Sequence, residues 1–252
     1  NSICELGNKL IWELVGIMAK KEFIEFLIKK KALKIAQSVP EFFTLKSGRK
    51  SPYFFTTGAL CDGESLTALK KGYADLIAGL IKEKKIEDFD YIFGPAYKGI
   101  NLSCVAVEGL SELHGLNKIQ LYDRKEPKEH GIGAEKLIVG AEHFKAGGKI
   151  LLIDDVIATG GTKFDAMDKL KLLPDAKVIG MVLVLDRQEK MGDAVNIGAV
   201  SAVQAFENAT GVKTYQIFTL KELFQVVKPT LSSSVVDEMR AYNKKFGSAS
   251  LE

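Results

Sequence analysis

Ile150-Leu151-Leu152-Ile153-Asp154-Asp155-Val156-Ile157-Ala158-Thr159-Gly160-Gly161-Thr162 is the most informative stretch of this chain. Four consecutive apolar residues read as a strand, which delivers two adjacent carboxylates; a loop of small residues then opens a helix. Free backbone N–H groups at a helix start, together with threonine hydroxyls, can hold a phosphate. Carboxylates beside a phosphate cradle point to a sugar phosphate. Acids accept hydrogen bonds from vicinal hydroxyls, whereas they repel a bare polyphosphate unless a cation intervenes. The plainer alternative is an ordinary strand-turn-helix with an acidic turn. A P-loop is excluded, because no G-x-x-x-x-G-K-[ST] occurs. Gly131-Ile132-Gly133-Ala134-Glu135-Lys136 lacks the last glycine of a dinucleotide fingerprint and follows no strand directly.

Outward from this stretch, short apolar runs alternate with helix-period segments from residue 66 onward, the pattern of βαβ units around a mostly parallel sheet. Core strands are expected at 91–93, 119–122, 150–153 and 178–185, and helices at about 66–84, 99–114 and 162–173. The strands run into polar or glycine-bearing segments at 94–99, 123–133, 154–162 and 186–189. Open α/β sheets bind ligands outside the carboxyl ends of their strands, so these four segments are the expected site.

The chain has 252 residues, 46% hydrophobic and 27% charged, which suits one large core and excludes a mainly disordered chain or a small disulfide scaffold. Thirty-five Lys and Arg against 32 Asp and Glu leave +3, too weak a balance to argue for nucleic-acid or membrane partners. Ten cations and only five acids fall in residues 1–50, so anion binding further along must be local. The apolar run 178–185 is stopped by Asp186-Arg187, far short of the roughly 18 residues that span a bilayer. Cys4, Cys61 and Cys104 lie far apart, without zinc or C-x-x-C spacing, which fits a reducing, cytoplasmic compartment. Met18 and the amphipathic stretch after it read as a natural start. Residues 1–17 are accordingly read as a non-native or loosely ordered extension, Leu251-Glu252 as a cloning scar, and 18–252 as a single domain.

Two further segments carry chemistry. Arg124-Lys125-Glu126-Pro127-Lys128-Glu129-His130-Gly131 sets three fixed cations and an imidazole within seven residues, in a context poor for helix and good for a mobile loop. Alone it is a solvated charge run. Beside a sugar-phosphate site it offers cations to an anionic leaving group, on whose departing oxygens negative charge builds. Gly94-Pro95-Ala96-Tyr97-Lys98-Gly99 links a strand to a helix, so its backbone N–H groups face the expected site and Lys98 adds a charge.

The acid pair and the loop after it resemble the phosphoribosyl pyrophosphate motif of the type I phosphoribosyltransferases. Four more segments, 45–55, 93–100, 122–131 and 185–189, are similar to those of orotate phosphoribosyltransferases and stand in the same order between about residues 20 and 230. The resemblance implies a central, mostly parallel sheet flanked by helices, with a core at about 66–215. A small hood is implied from about 18–65 and C-terminal elements. It implies that Asp154 and Asp155 hold the ribose hydroxyls while Ala158, Thr159, Gly160, Gly161 and Thr162 wrap the 5-phosphate. Arg124, Lys125, Lys128, His130, Tyr97 and Lys98 would contact pyrophosphate, with Lys128 the foremost catalytic candidate. Lys46, Phe54, Phe55 and Arg187 would receive orotate, a flat base whose carboxylate needs cations and whose ring needs apolar surface. Mg²⁺ is expected, held through pyrophosphate and not by dedicated protein ligands. A homodimer is expected too, with the cationic loop shared across the interface.

The match departs from the family in the Ala158–Thr162 loop, which reads as much like the adenine enzyme, in Glu129 where Asp is usual, and in the acid missing from Gly131-Ile132-Gly133. Two rival readings are kept. A purine-base or uracil phosphoribosyltransferase should lack the Lys46 and Arg187 cations. A regulatory protein on the same fold would need a nucleic-acid face, for which there is no helix-turn-helix signature.

Overall fold

A computed structural model describes residues 18–38, 41–130, 133–157 and 161–252, with side chains from 163 in the last range. Residues 1–17, read above as an extension, and the loop residues Ala158, Thr159 and Gly160 lie outside the described residues.

The described residues open with helix α1 over 18–29. Four short strands follow: β1 (Leu33–Ile35), β2 (Phe43–Thr44), β3 (Lys50–Ser51) and β4 (Tyr53–Phe55). Then come α2 (Gly63–Lys82), β5 (Tyr91–Gly94), α3 (Lys98–His114), β6 (Ile119–Asp123), β7 (Ile138–Val139), β8 (Lys149–Asp154) and α4 (Gly161–Leu170). The remainder is β9 (Lys177–Asp186), β10 (Lys190–Gly192), β11 (Ile197–Ser201), α5 (Ala202–Thr210), β12 (Thr214–Thr219), α6 (Leu220–Val227) and α7 (Ser233–Phe246).

The central sheet has the order β12-β9-β8-β5-β6-β7. All its neighbours are parallel except β7, which closes the edge antiparallel to β6. Its middle strands are apolar on both faces because both faces are covered. In β8, Leu151 and Ile153 pack into one core and Ile150 and Leu152 into the other; β9 repeats this with Val182 and Val184 against Met181 and Leu183. Each such side chain, fully buried, stabilises the fold by roughly 1.5–3 kcal/mol.

The helices begin and end where local chemistry dictates. Asp62 caps α2, accepting from the Ser65 N–H at 2.8 Å, and Leu69, Tyr73, Ile77 and Leu80 form the buried stripe behind it. α3 stops at Gly115, in the left-handed region at φ 66°. Thr219 and Glu222 form a reciprocal capping box at the start of α6.

The N-terminal elements and the C-terminal helices share the larger core: Ile24, Leu27, Leu33 and Tyr53 join Val236, Met239, Tyr242 and Phe246. Lys20 of α1 reaches Glu222 of α6 at 2.7 Å. Leu251 belongs to the same core, 4% exposed. The sequence reading misses β12, β7, the β10–β11 hairpin and helices α5, α6 and α7, and places no strands between residues 18 and 65. Among the described residues no helix is long and apolar enough to cross a membrane.

Candidate active site

Both carboxyls of the acid pair are buried at the carboxyl end of the sheet, Asp154 at 6% and Asp155 at 5% exposure. Their main chain is pinned from two sides. The Tyr73 hydroxyl of α2 donates to the Asp154 carbonyl at 2.9 Å, and the Val184 and Leu185 N–H groups of β9 donate to the Asp155 carbonyl at 3.0 and 3.2 Å. Each carboxylate has its own lysine. Lys163, in the first turn of α4, stands 2.7 Å from Asp154 Oδ2. Lys98, at the start of α3, donates to Asp155 Oδ2 at 2.7 Å, and Thr57 Oγ1 donates to the same oxygen at 3.0 Å.

These surroundings displace the two acids in opposite directions. Burial, reinforced by the Asp155 charge, pushes Asp154 above its ordinary value of 3.8 despite Lys163. Burial also pushes Asp155 up, but the hydrogen bond and charge of Lys98, the charge of Lys163 and the Thr57 hydroxyl outweigh it and hold that carboxyl below the usual range.

The 94–99 turn and the cationic loop face one cleft. Ala96, Tyr97, Ile100 and residues 122–128 line a cavity of about 540 Å³. Tyr97 is 72% exposed, and Lys125 Nζ lies 5.9 Å from its ring centroid. The cationic loop is an excursion of the β6–β7 hairpin. It is held at its root by Arg124 N–H donating to Leu137 at 2.7 Å and further out by Lys128 N–H donating to Lys136 at 2.9 Å. Lys125, Lys128 and His130 are exposed and Arg124 is half-buried. Asp123, 4% exposed, ties the arrangement together. It accepts from the Ala96 N–H and pairs with Lys169 of α4, which also donates to the Arg124 carbonyl at 3.0 Å.

At the base end the candidate residues are less uniform. Phe55 lies opposite Leu33 of β1, half-buried, and packs against the larger core, meeting Phe218 edge-on at 6.3 Å. Phe54 points the other way, opposite Lys34, and packs on Phe43 at 5.9 Å. Lys46 is exposed in the β2–β3 turn and has no bond to Arg187 among the described residues. Arg187 is largely buried against Tyr53 and Glu189. Gly161 and Thr162 of the phosphate loop open α4.

Sequence reading passes over Lys163, Lys169 and Thr57, and has Asp123 only as the first residue of the 123–133 segment. A lysine following the Thr/Gly loop was the available signal for the first. Thr57 lies 98 positions from its carboxylate and gives no local sign.

A profile of the phosphoribosyl transferase domain matches residues 63–213, which include both acids, the 94–99 turn and the cationic loop. Fold and site thus define a phosphoribosyltransferase. The chain is 40% identical over 225 residues to the orotate phosphoribosyltransferase of Dichelobacter nodosus, covering 89% of this chain and 94% of that protein. It is 41% identical over 204 residues to that of Bifidobacterium adolescentis, covering 81% and 83%. The crystal structure of orotate phosphoribosyltransferase from Francisella tularensis matches with a TM-score of 0.74 at 34% identity, covering 90% of this chain and 99% of that one. The chain belongs to the orotate phosphoribosyltransferase family.

Proposed function

We propose that this chain transfers the phosphoribosyl group of phosphoribosyl pyrophosphate to N1 of orotate, giving orotidine 5′-monophosphate and pyrophosphate, a step of pyrimidine biosynthesis. The observation that carries the reading is a buried acid pair joined through Lys98 to a turn that shares a cleft with the cationic loop. N1 gives up its proton, to water or to the departing diphosphate, and joins the anomeric carbon as pyrophosphate leaves with its bonding electron pair, and the configuration at that carbon inverts. No protein nucleophile is required. Asp154 and Asp155 orient the ribose and stabilise its oxocarbenium character, while Arg124, Lys125, Lys128 and His130 meet the charge growing on the leaving group.

Carboxylate and phosphate oxygens are the hard donors that magnesium takes, and both site carboxylates already hold a lysine at 2.7 Å. This suits a cation whose oxygens would come chiefly from the substrate's diphosphate, with Asp155 the protein carboxylate available to it. Bound there, it would neutralise part of the leaving group's charge. We infer further that the enzyme works as a homodimer in the cytoplasm, each cationic loop closing over the neighbouring subunit's acids.

The test is pyrophosphate release from phosphoribosyl pyrophosphate and Mg²⁺, with orotate, uracil, adenine and hypoxanthine offered in parallel. Turnover with orotate is expected. Turnover with a purine alone would overturn the reading.

A further inference from the structure

Arg187 follows β9, and its side chain is 18% exposed. Its Nε donates to the Tyr53 hydroxyl at 3.2 Å and its Nη2 to Glu189 Oε1 at 2.8 Å, with the guanidinium carbon 5.2 Å from the Tyr53 ring centroid. A guanidinium has five N–H donors in a fixed fork. Nε and Nη2 form one edge of that fork, and it is spent. The end edge, Nη1 with the second Nη2 proton, has no partner among the described residues.

Glu189 is the hub that sets this orientation, its side chain 10% exposed. Besides Arg187, its Oε1 accepts from the Tyr53 hydroxyl at 2.5 Å and from the Tyr242 hydroxyl of α7 at 3.1 Å. Its Oε2 accepts from Arg49 Nη1 at 3.4 Å. Arg49 is 3% exposed, donates to the carbonyls of Asp193 and Met191, and lies over the Phe246 ring at 4.5 Å. The Asp193 carboxylate itself stays in an exposed turn, bound to Val195 and Asn196. The buried cluster therefore sets two guanidiniums against the single buried carboxylate of Glu189, with Asp193 attracting Arg49 from its exposed turn. An uncompensated buried cation is costly, and an anion arriving at the open edge of Arg187 would balance it.

We propose that Glu189 is a positioning residue for base recognition. With Tyr53 and Tyr242 it holds Arg187 by one edge and presents the opposite edge, as a bidentate fork, to the carboxylate of the incoming pyrimidine. The inference rests on the proposed transfer to orotate and on Arg187 being the cation that meets its carboxylate, the role that the resemblance to the family implies for it. It adds that the C-terminal helix α7, through Tyr242, helps to select the base.

Steady-state kinetics with orotate and phosphoribosyl pyrophosphate varied separately, alongside thermal unfolding, test it. Glu189→Gln keeps the shape but removes the charge, and should raise the orotate KM about tenfold while leaving the KM for phosphoribosyl pyrophosphate unchanged. Tyr242→Phe, a milder change at the edge of the hub, should raise the orotate KM about threefold. In an Arg187→Ala background, Glu189→Gln should add nothing further to the orotate KM. An orotate KM raised by Arg187→Ala but untouched by both hub variants overturns the proposal alone. Equal increases in both KM values with a lowered melting temperature overturn it too, reducing Glu189 to scaffold. An orotate KM unchanged in Arg187→Ala removes the base-binding role of that arginine, and the proposal with it.

Discussion

Asp154 and Asp155 are adjacent in the chain and almost equally buried, yet one carboxyl is raised and the other lowered. The difference lies in partners. Asp155 has Lys98, Lys163 and Thr57 acting on it, whereas Asp154 has Lys163 and the Asp155 N–H against both burial and its neighbour's charge. The signs for stability are opposite. The raised Asp154 contributes stability that is present below its unfolded value and lost as pH rises through the folded one. The lowered Asp155 contributes stability that is present above its unfolded value and lost as pH falls through the folded one. Lys163→Met removes the one cation paired with Asp154, a pair only 11% and 9% exposed, and should cost about 3–5 kcal/mol at neutral pH. Without Lys163 the Asp154 carboxyl rises further and protonates earlier, so the deficit should shrink as pH falls from 7.5 toward 5. Urea unfolding of both proteins at the two pH values checks this. A deficit equal at both would mean that Lys163 contributes packing and not charge.

The elements that carry these residues differ in how openly the sequence announces them. β5, β8 and β9 are legible because both faces are buried, leaving unbroken apolar runs that end in the acids and glycines of the site. β12 reads Thr-Tyr-Gln before its buried Ile217-Phe218, is half exposed, and so shows neither a run nor a clear alternation. The loops of the site are legible for a similar reason: the acid pair, the 94–99 turn and the cationic loop are each contiguous in sequence. Ion pairs such as Arg49 with Glu189, 140 positions apart, leave no local pattern to read. The 94–99 turn is more constrained than a glycine-proline turn needs to be. A Cβ on Gly94 would collide with the Gly99 carbonyl and the Ser103 hydroxyl, because strand end and helix start pass backbone against backbone. Gly94→Ala should therefore cost about 1–3 kcal/mol and raise the KM for phosphoribosyl pyrophosphate by displacing Ala96 and Lys98. Unfolding and kinetic measurements on the same preparation test both effects, and wild-type values in each would contradict the close approach.

At the scale of the whole molecule the charges are divided unequally. The acid pair is neutralised within its own chain by Lys98 and Lys163. Lys125 and Lys128 stand exposed, with no ion pair among the described residues. Exposed cations on a hairpin cost little in water and are available to a ligand bound elsewhere, which suits a loop that completes a site on a neighbouring subunit. In a C2 dimer this has an arithmetical consequence. Lys128→Ala damages the loop and Asp155→Asn damages the acid pair, and each alone should lower turnover by about 10²–10³ if oxyanion-site losses are a guide. When equal amounts of the two variants are unfolded together and refolded, half of the dimers are hybrids. If loops cross, each hybrid has one site carrying both lesions and one carrying neither, so the mixture should regain about a quarter of wild-type activity. If each loop serves its own protomer, every site in every dimer keeps a lesion. Mixing would then restore nothing, and the shared-site arrangement would be wrong even though dimers had formed.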